Sequence, residues 1–231
     1  MFPWFMWNNV DSRDMGVWVS TLPPIIRAKE RTDEIKIPGR AGSLIMLEGE
    51  NIHDSYLKDC VITVPRKSDF KALLAWLSGE GNVIFGNEEN RVYRARIAGE
   101  IEFQSIGNTL AQATIPFFVH PHKSAYPADL PITISGTSGT VYNPGDVASR
   151  PIVTVDCTGS VEISIGEYTM AFSGLSTPIT VDCDAELITT ENGEIWTGNY
   201  SGEYWRIEKG ENEITMSAEC DLRISPEWRY L

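Results

Sequence analysis

Residues 120–131 read HPHKSAYPADLP and divide the chain into two unlike halves. Three prolines in this stretch remove backbone donors and restrict the residue before each of them, which is typical of a connection between domains. The charge balance changes at the same place. Residues 1–125 carry 14 Lys and Arg against 15 Asp and Glu, whereas residues 126–231 carry 5 against 17. We therefore predict a first domain over residues 1–125 and an acidic second domain over residues 126–231.

The composition is that of a folded protein. Hydrophobic residues make up 42% of the 231 residues and charged residues 22%, which excludes wholesale disorder. Apolar runs stay well short of the roughly 18 residues that a membrane helix needs, and the opening MFPWFMWNN is too short for a signal peptide. We expect a soluble, non-exported protein without membrane insertion. Its net charge of −13 predicts poor sequence-independent affinity for DNA.

The first half contains one strong helix signal. Ser68 is a suitable N-cap and Gly79 can end the helix. One apolar face is predicted at the helical spacing, formed by Phe70, Leu73, Leu74 and Leu77. Trp76 points away from that stripe, so it either covers a neighbouring sheet or anchors another subunit.

The remainder of the first half is predicted to be β. Residues 93–97 alternate between apolar and charged side chains, as in a half-buried strand, and residues 101–103 and 115–119 repeat that period. Residues 60–64 form a dense apolar run that predicts a strand covered on both faces. Residues 20–54 are too long for an idle connection in a compact domain, so they form either a functional arm or two poorly patterned strands.

The aromatic start of the chain needs a partner. Exposure of Phe2, Trp4, Phe5, Met6 and Trp7 is unfavourable, because burial of each large side chain contributes about 1.5–3 kcal/mol. These residues are expected to form a strand in the chain's own sheet or to dock onto another subunit. Trp4, Phe5, Trp7 and Trp76 are therefore the predicted interface residues.

The second half contains only short strands separated by turn signals. Nine are predicted, at residues 132–134, 152–155, 161–165, 168–172, 179–181, 186–190, 203–207, 214–218 and 222–224. Their spacing near ten residues predicts an antiparallel β-sandwich. Four widely spaced cysteines lack a CxxC pair and are expected to be buried free thiols, although Cys157 and Cys183 can meet across paired strands.

Signals for catalysis are weak. His120 and His122 stand two residues apart and can share a metal on a strand, but nearby ligands to complete a site are missing, so we predict no metal, no cofactor and no catalytic residue. Many acidic residues can supply a glycosidase pair, yet the sequence nominates none. Four aromatic residues within ten positions either stack on a sugar or pack the core: Trp196, Tyr200, Tyr204 and Trp205.

Several ordered segments resemble one protein family. The first half supplies the aromatic start, Asn8-Asn9, SRDMGV at residues 12–17, IPGRAGS at 37–43, the strand with Cys60, WLSGEG at 76–81, YRA at 93–95 and FFVHP at 117–121. The second half supplies NPG at residues 143–145, SRPI at 149–152, IEKGENEI at 207–214 and ISPEWRYL at 224–231. Together they resemble the distal tail protein of bacteriophages with long, non-contractile tails.

That resemblance implies a mainly β fold with two domains. The first domain, with one helix, would form a hexameric ring, and the second would be a galectin-like or carbohydrate-module-like sandwich outside the ring. The ring would join the tail tube to the tail tip or baseplate in the virion, after assembly in the host cytoplasm. DNA would pass through its bore during genome ejection without sequence-specific binding. The alternative is a carbohydrate-binding module for attachment to the host surface.

Overall fold

The computed structural model describes residues 2–47, 49 and 52–231, so Met1 and three positions of the predicted arm (48, 50 and 51) lie outside the described residues. The protein is mainly β, with 57% of its residues in strands. Within the described residues a single helix is present. The chain divides between Tyr126 and Pro127 into two compact units.

The first unit is built on an eight-stranded antiparallel sheet and a separate two-stranded hairpin. Its elements are β1 (Phe5–Trp7), β2 (Val10–Asp11), β3 (Trp18–Thr21), β4 (Thr32–Lys36), β5 (Ser43–Leu47), β6 (Tyr56–Pro65), α1 (Phe70–Trp76), β7 (Glu80–Phe85), β8 (Arg91–Ile97), β9 (Gln104–Ile106) and β10 (Leu110–Ala125). The large sheet has the order β2-β1-β7-β8-β10-β6-β3, with β9 paired to β10. Among the described residues, β4 and β5 pair only with each other.

Helix α1 follows the predicted position but differs from the prediction at its start and on its face. Asp69 is the N-cap, because its carboxylate accepts hydrogen bonds from the backbone N–H groups of Lys71 and Ala72. Leu73 and Leu77 are buried as expected. Leu74 is 42% exposed, so its predicted place on the buried face is wrong. A helix of only two turns buries a narrow line of side chains against the sheet, and Leu74 lies beside that line.

The first hairpin turns at an Asn-Asn pair, whereas Asn-Gly is the more usual pair in a two-residue hairpin turn. Asn8 and Asn9 connect β1 to β2, and both have positive φ, 49° and 64°. Asparagine tolerates this region better than other non-glycine residues, and a two-residue β-hairpin requires it. The Asn8 side chain also accepts a hydrogen bond from the Asn82 N–H at 3.0 Å, which ties the turn to β7.

Three strand predictions in the first unit need correction. Strand β6 alternates buried and half-exposed residues, so it is covered on one face only. Residues 101–103 lie outside the strands, and β9 begins at Gln104. Strand β10 continues through much of the Pro-rich stretch to Ala125, and Pro121 lies where the register with β8 shifts. An irregular step in the ladder accepts a proline because no N–H is needed there.

The second unit is one curled antiparallel sheet around its own core. Its strands are β11 (Ile132–Asn143), β12 (Ile152–Asp156), β13 (Gly159–Ile165), β14 (Tyr168–Leu175), β15 (Ile179–Asp182), β16 (Leu187–Thr190), β17 (Asn199–Gly202) and β18 (Gly210–Ser225). The order is β16-β15-β12-β18-β13-β14-β17, with β11 also paired to β18. One end of β18 pairs with β13 and the other with β12, so this strand belongs to both halves of the sandwich.

Two predictions for the second unit are wrong in detail. The separate strands predicted at residues 214–218 and 222–224 are one continuous strand, β18. The segment 203–207 is irregular, although its side chains alternate in burial. Trp205 and Ile207 are fully buried in the hydrophobic core of the second unit. The Trp205 indole N–H donates to the carbonyl oxygen of Ile163, and Ile207 forms an isolated backbone bridge with Ser149. The alternating burial of residues 203–207 therefore comes from the packing of an irregular segment and not from a strand.

Candidate assembly and binding surfaces

The aromatic start of the chain forms part of the core of the first unit. Phe5 and Trp7 lie on β1 and are fully buried, where both contact the ring of Phe117. A side chain without exposed surface has nothing to offer a second subunit, so the interface prediction is wrong for Phe5 and Trp7. Trp4 is half-buried and lies against the Arg13 guanidinium, 5.1 Å from the ring centroid.

Trp76 also contributes to this core. Its ring stacks on Phe5, with centroids 5.6 Å apart and an angle of 10° between the planes. Two roles were predicted for Trp76: covering a neighbouring sheet or anchoring another subunit. Within the single chain its half-buried ring covers the sheet at Phe5. Of the predicted interface residues, Trp4 and Trp76 keep some exposed surface.

A larger apolar surface lies on the hairpin formed by β4 and β5. All five residues of β5, Ser43–Leu47, are exposed, and four of them are large and apolar. Their exposed fractions are 46% for Leu44, 63% for Ile45, 51% for Met46 and 63% for Leu47. The register pairs Ile45 with Glu34 and Leu44 with Ile35, so apolar side chains occupy both faces of the hairpin. The run SLIML at residues 43–47 is the sequence signal for this surface.

The base of this hairpin is fastened by antiparallel contacts. The Arg31 N–H donates to the carbonyl oxygen of Ile52, and the Asp54 N–H donates to that of Lys29, both at 2.9 Å. The Arg31 guanidinium donates to the Asp54 carboxylate at 2.7 Å. We call residues 29–54 the arm. At roughly 3.3 Å per residue, β4 and β5, of five residues each, are on the order of 16 Å long.

A buried polar cluster fixes the turn between β7 and β8. Glu88 accepts hydrogen bonds from Lys58 Nζ at 2.9 Å, from Lys123 Nζ at 3.0 Å and from the Tyr93 hydroxyl. Burial alone raises the pKa of the Glu88 carboxyl, but these bonds together hold it below its ordinary value. Burial lowers the pKa of Lys58 and outweighs the effect of Glu88. This cluster was not predicted from the sequence, because its members come from four separate segments.

The aromatic cluster of the second unit divides into one fully buried residue and a partly exposed row. Trp205 is fully buried, yet it also belongs to the lining of the pocket described below, so its predicted glycan contact stays a prediction. Trp196, Tyr200 and Tyr204 follow one another at ring-centroid distances of 6.5 and 6.3 Å. The Tyr204 hydroxyl donates to the carbonyl oxygen of Glu186 at 2.9 Å. Partial burial and the neighbouring Tyr200 hydroxyl raise the pKa of Tyr204.

A pocket of about 380 Å³ opens beside this row. Seven of its lining residues carry aromatic or charged side chains: Arg150, Tyr168, Glu186, Glu203, Tyr204, Trp205 and Arg206. Arg150 and Glu186 form an ion pair with 3.6 Å between nitrogen and oxygen. The Arg206 guanidinium lies 5.6 Å from the ring centroid of Tyr168. The sequence predicted two of the lining residues, Tyr204 and Trp205. It could not add Arg150, Tyr168 and Glu186, because they come from distant segments.

The four cysteines, Cys60, Cys157, Cys183 and Cys220, are free and buried, as predicted. Among the described residues, no group of three or more His, Cys, Asp or Glu side chains is arranged to hold a metal ion. Over the same residues, no helix is long and apolar enough to cross a membrane.

No protein-family model matches the sequence, and no curated protein matches it either. Among solved structures, the chain resembles the Dit protein (gp 19.1) of phage SPP1, which is described as a paradigm of the hub adsorption apparatus in phages that infect Gram-positive bacteria. The TM-score is 0.77 at 14% sequence identity, and the match covers 100% of both chains. The chain therefore has, over its whole length, the fold of this phage tail-hub protein.

Proposed function

We propose that the protein is a structural component of a phage tail, the distal tail protein that forms a ring between the tail tube and the tail tip or baseplate. The proposal is supported by the likeness to the SPP1 Dit protein, which extends through both units. The role is one of assembly and not of catalysis. Its place is the virion tail, after assembly in the cytoplasm of the bacterial host.

The exposed arm is the observation that carries the proposal. A strand that is apolar on both faces is normally covered on both faces, whereas β5 is open on both. Its outer edge also lacks a strand partner among the described residues, and such an edge is a template for pairing with another chain. Complete burial of each large side chain would contribute about 1.5–3 kcal/mol. The arm is thus built to be covered by a neighbouring subunit.

A closed ring follows when this contact is head-to-tail. Such an interface joins two different patches on identical subunits. The ring closes when the rotation between neighbouring subunits is a whole-number fraction of 360°. One patch is the arm, and the other is the body of the next subunit. Following the family resemblance, the ring contains six copies, about 155 kDa in total.

Charge is consistent with a bore through which DNA passes without being held. The first unit is nearly neutral, with 14 basic against 15 acidic residues in its predicted range, so packed copies repel one another little. Tight phosphate binding requires an excess of Lys and Arg, which this chain lacks. A weakly interacting bore suits genome ejection, in which the DNA must move.

Replacing an apolar arm residue by a charged one tests the proposal. In Ile45→Asp and Leu47→Asp the change lies on exposed side chains, so each monomer keeps its fold while the ring is lost. Leu130→Asp is the matched control, because Leu130 is 84% exposed and lies outside the arm. Light scattering coupled to gel filtration and negative-stain imaging measure the outcome. A wild-type protein that stays monomeric at every concentration, or arm variants that still form rings, would contradict the proposal.

A further inference from the structure

We propose that Cys157 and Cys220 of the second unit form a disulfide bond when the folded protein meets a peroxide. Both residues are free thiols in the structure, which is the state before this step. The inference is independent of ring assembly, since both cysteines belong to the second unit.

The strand register places the two cysteines opposite each other. Strands β12 and β18 are antiparallel, and their ladder ends with Asp156 paired to Asp221. Cys157 and Cys220 occupy the next position of the same register, one residue further along each segment. Directly opposed residues have Cα atoms about 4.5 or 5.5 Å apart, depending on the kind of pair. Both distances lie within the range of about 4.4–6.8 Å that a disulfide spans.

The two thiols also point into the same core. Cys157 is 9% exposed and Cys220 4%, and both belong to the hydrophobic cluster of the second unit. Burial and the neighbouring Cys157 thiol together raise the pKa of Cys220 to about 12. The side chains thus already interact on one face of the ladder, so the bond needs no rearrangement of the strands.

Cys183 is not the partner of Cys157, although the sequence left this pairing open. The Cys183 N–H donates to the carbonyl oxygen of Pro151 at 3.1 Å, just before the start of β12. Cys157 follows the other end of that strand, six residues from Pro151. At roughly 3.3 Å per residue this separation is about 20 Å, which is too far for a disulfide.

A peroxide supplies the oxidising equivalents for the bond. Hydrogen peroxide converts one thiol to a sulfenic acid and releases water, and the second thiol then displaces another water molecule as the S–S bond forms. Each sulfur gives up one electron, and the two oxygens of the peroxide take up both. Cys157 directly precedes the exposed residues 158–160, so a molecule as small as hydrogen peroxide can reach the pair from this turn. Burial makes the reaction slow.

The disulfide secures a weak end of the ladder. Asp156 and Asp221 are exposed and directly opposite, and like charges in this position destabilise a strand pair. A cross-link one position further closes a loop of about 60 residues, which restricts the unfolded chain. The timing of the step rests on the proposed function, because a virion protein folds in the reducing cytoplasm and meets oxidants only after release.

The test uses the full-length protein, reduced with dithiothreitol, freed of reductant and incubated with hydrogen peroxide. Iodoacetamide in guanidinium chloride should add four groups before oxidation and two afterwards, since the chain has four cysteines. Peptide mass spectrometry should find Cys157 and Cys220 in one cross-linked species, two hydrogen atoms lighter than the sum of its peptides. The melting temperature of the second unit should rise by about 10 °C and fall back with dithiothreitol.

Cys157→Ala and Cys220→Ala should each abolish the cross-link and the rise in melting temperature. Cys183→Ala is the matched control, because it also removes a buried thiol of the second unit but keeps the pair, and it should still form the cross-link. The peptide map of the wild type decides the question even where a variant fails to fold.

Four results would overturn the assignment. They are four alkylated cysteines after prolonged oxidation, sulfinic acids at Cys157 and Cys220 in place of the cross-link, a cross-link from either residue to another cysteine, and a lower melting temperature of the cross-linked protein. The last result would mean that the bond distorts the native strands.

Discussion

Trp7 and Trp76 are joined by two reciprocal hydrogen bonds between strand β1 and helix α1. The indole Nε1–H of Trp7 donates to the carbonyl oxygen of Trp76 at 3.0 Å, and the indole of Trp76 donates to the carbonyl oxygen of Trp7 at 3.3 Å. Each indole thus satisfies a backbone carbonyl of the other residue, 69 positions away. This pair fastens the short helix to the sheet and places the aromatic start of the chain inside the first unit.

Trp76→Ala is expected to destabilise the first unit. The substitution removes the stack on Phe5 and the hydrogen bond that the Trp76 indole donates, whereas the backbone carbonyl of residue 76 can still accept from Trp7. We expect a loss of about 3 kcal/mol, the lower end for tryptophan because the side chain is half-buried. Urea unfolding followed by hydrogen exchange of peptides from residues 2–126 measures it. The control is Trp18→Ala, since Trp18 is 58% exposed on edge strand β3. Equal stability of the two variants would show that the pair is unimportant.

Glu88→Gln is expected to cost the first unit about 3–5 kcal/mol, because it leaves the ammonium groups of Lys58 and Lys123 buried without a counter-charge. Its neighbour provides the control. Glu89 is exposed, so Glu89→Gln should change the free energy of unfolding by less than about 0.5 kcal/mol. A denaturant midpoint for Glu88→Gln that matches the wild type would contradict this account of the cluster.

The same carboxylate predicts a dependence of stability on pH. Because the folded-state pKa of Glu88 lies below its ordinary value of 4.5, the unfolded chain binds more protons in acid. Its contribution is therefore complete above the unfolded pKa and is lost as the pH falls through the folded pKa. Stability curves between neutral pH and pH 3 should be shallower for Glu88→Gln than for wild type or Glu89→Gln. Parallel curves of stability against pH for all three proteins would show that Glu88 does not cause the loss of stability in acid.

The cysteines are expected to be unreactive in the folded protein. Burial raises the pKa of Cys60, Cys183 and Cys220 to about 12, so the thiolate is scarce at pH 8. Iodoacetamide should leave the native protein unlabelled and add four groups in guanidinium chloride, as counted by mass spectrometry. Rapid labelling of native protein at any of the three would contradict the burial described for that residue.

Much of the architecture could be predicted because it depends on local patterns. Alternation at residues 93–97 predicted strand β8, and the helical spacing predicted α1, although its N-cap is Asp69 and not the predicted Ser68. Turn signals and short apolar runs predicted most strands of the second unit. These features require only that apolar side chains point one way, which a single segment can specify.

The candidate sites were harder to predict because they depend on which segments meet. The sequence alone determined a mainly β protein, an acidic second half and an aromatic start that favours burial. Only the tertiary structure decided that Phe5 and Trp7 pack inside their own unit while β5 stays uncovered, and that Arg150, Tyr168 and Arg206 share one pocket. The physical reason is that hydrophobicity specifies burial without specifying the partner, whereas strand pairing over long separations brings the side chains together.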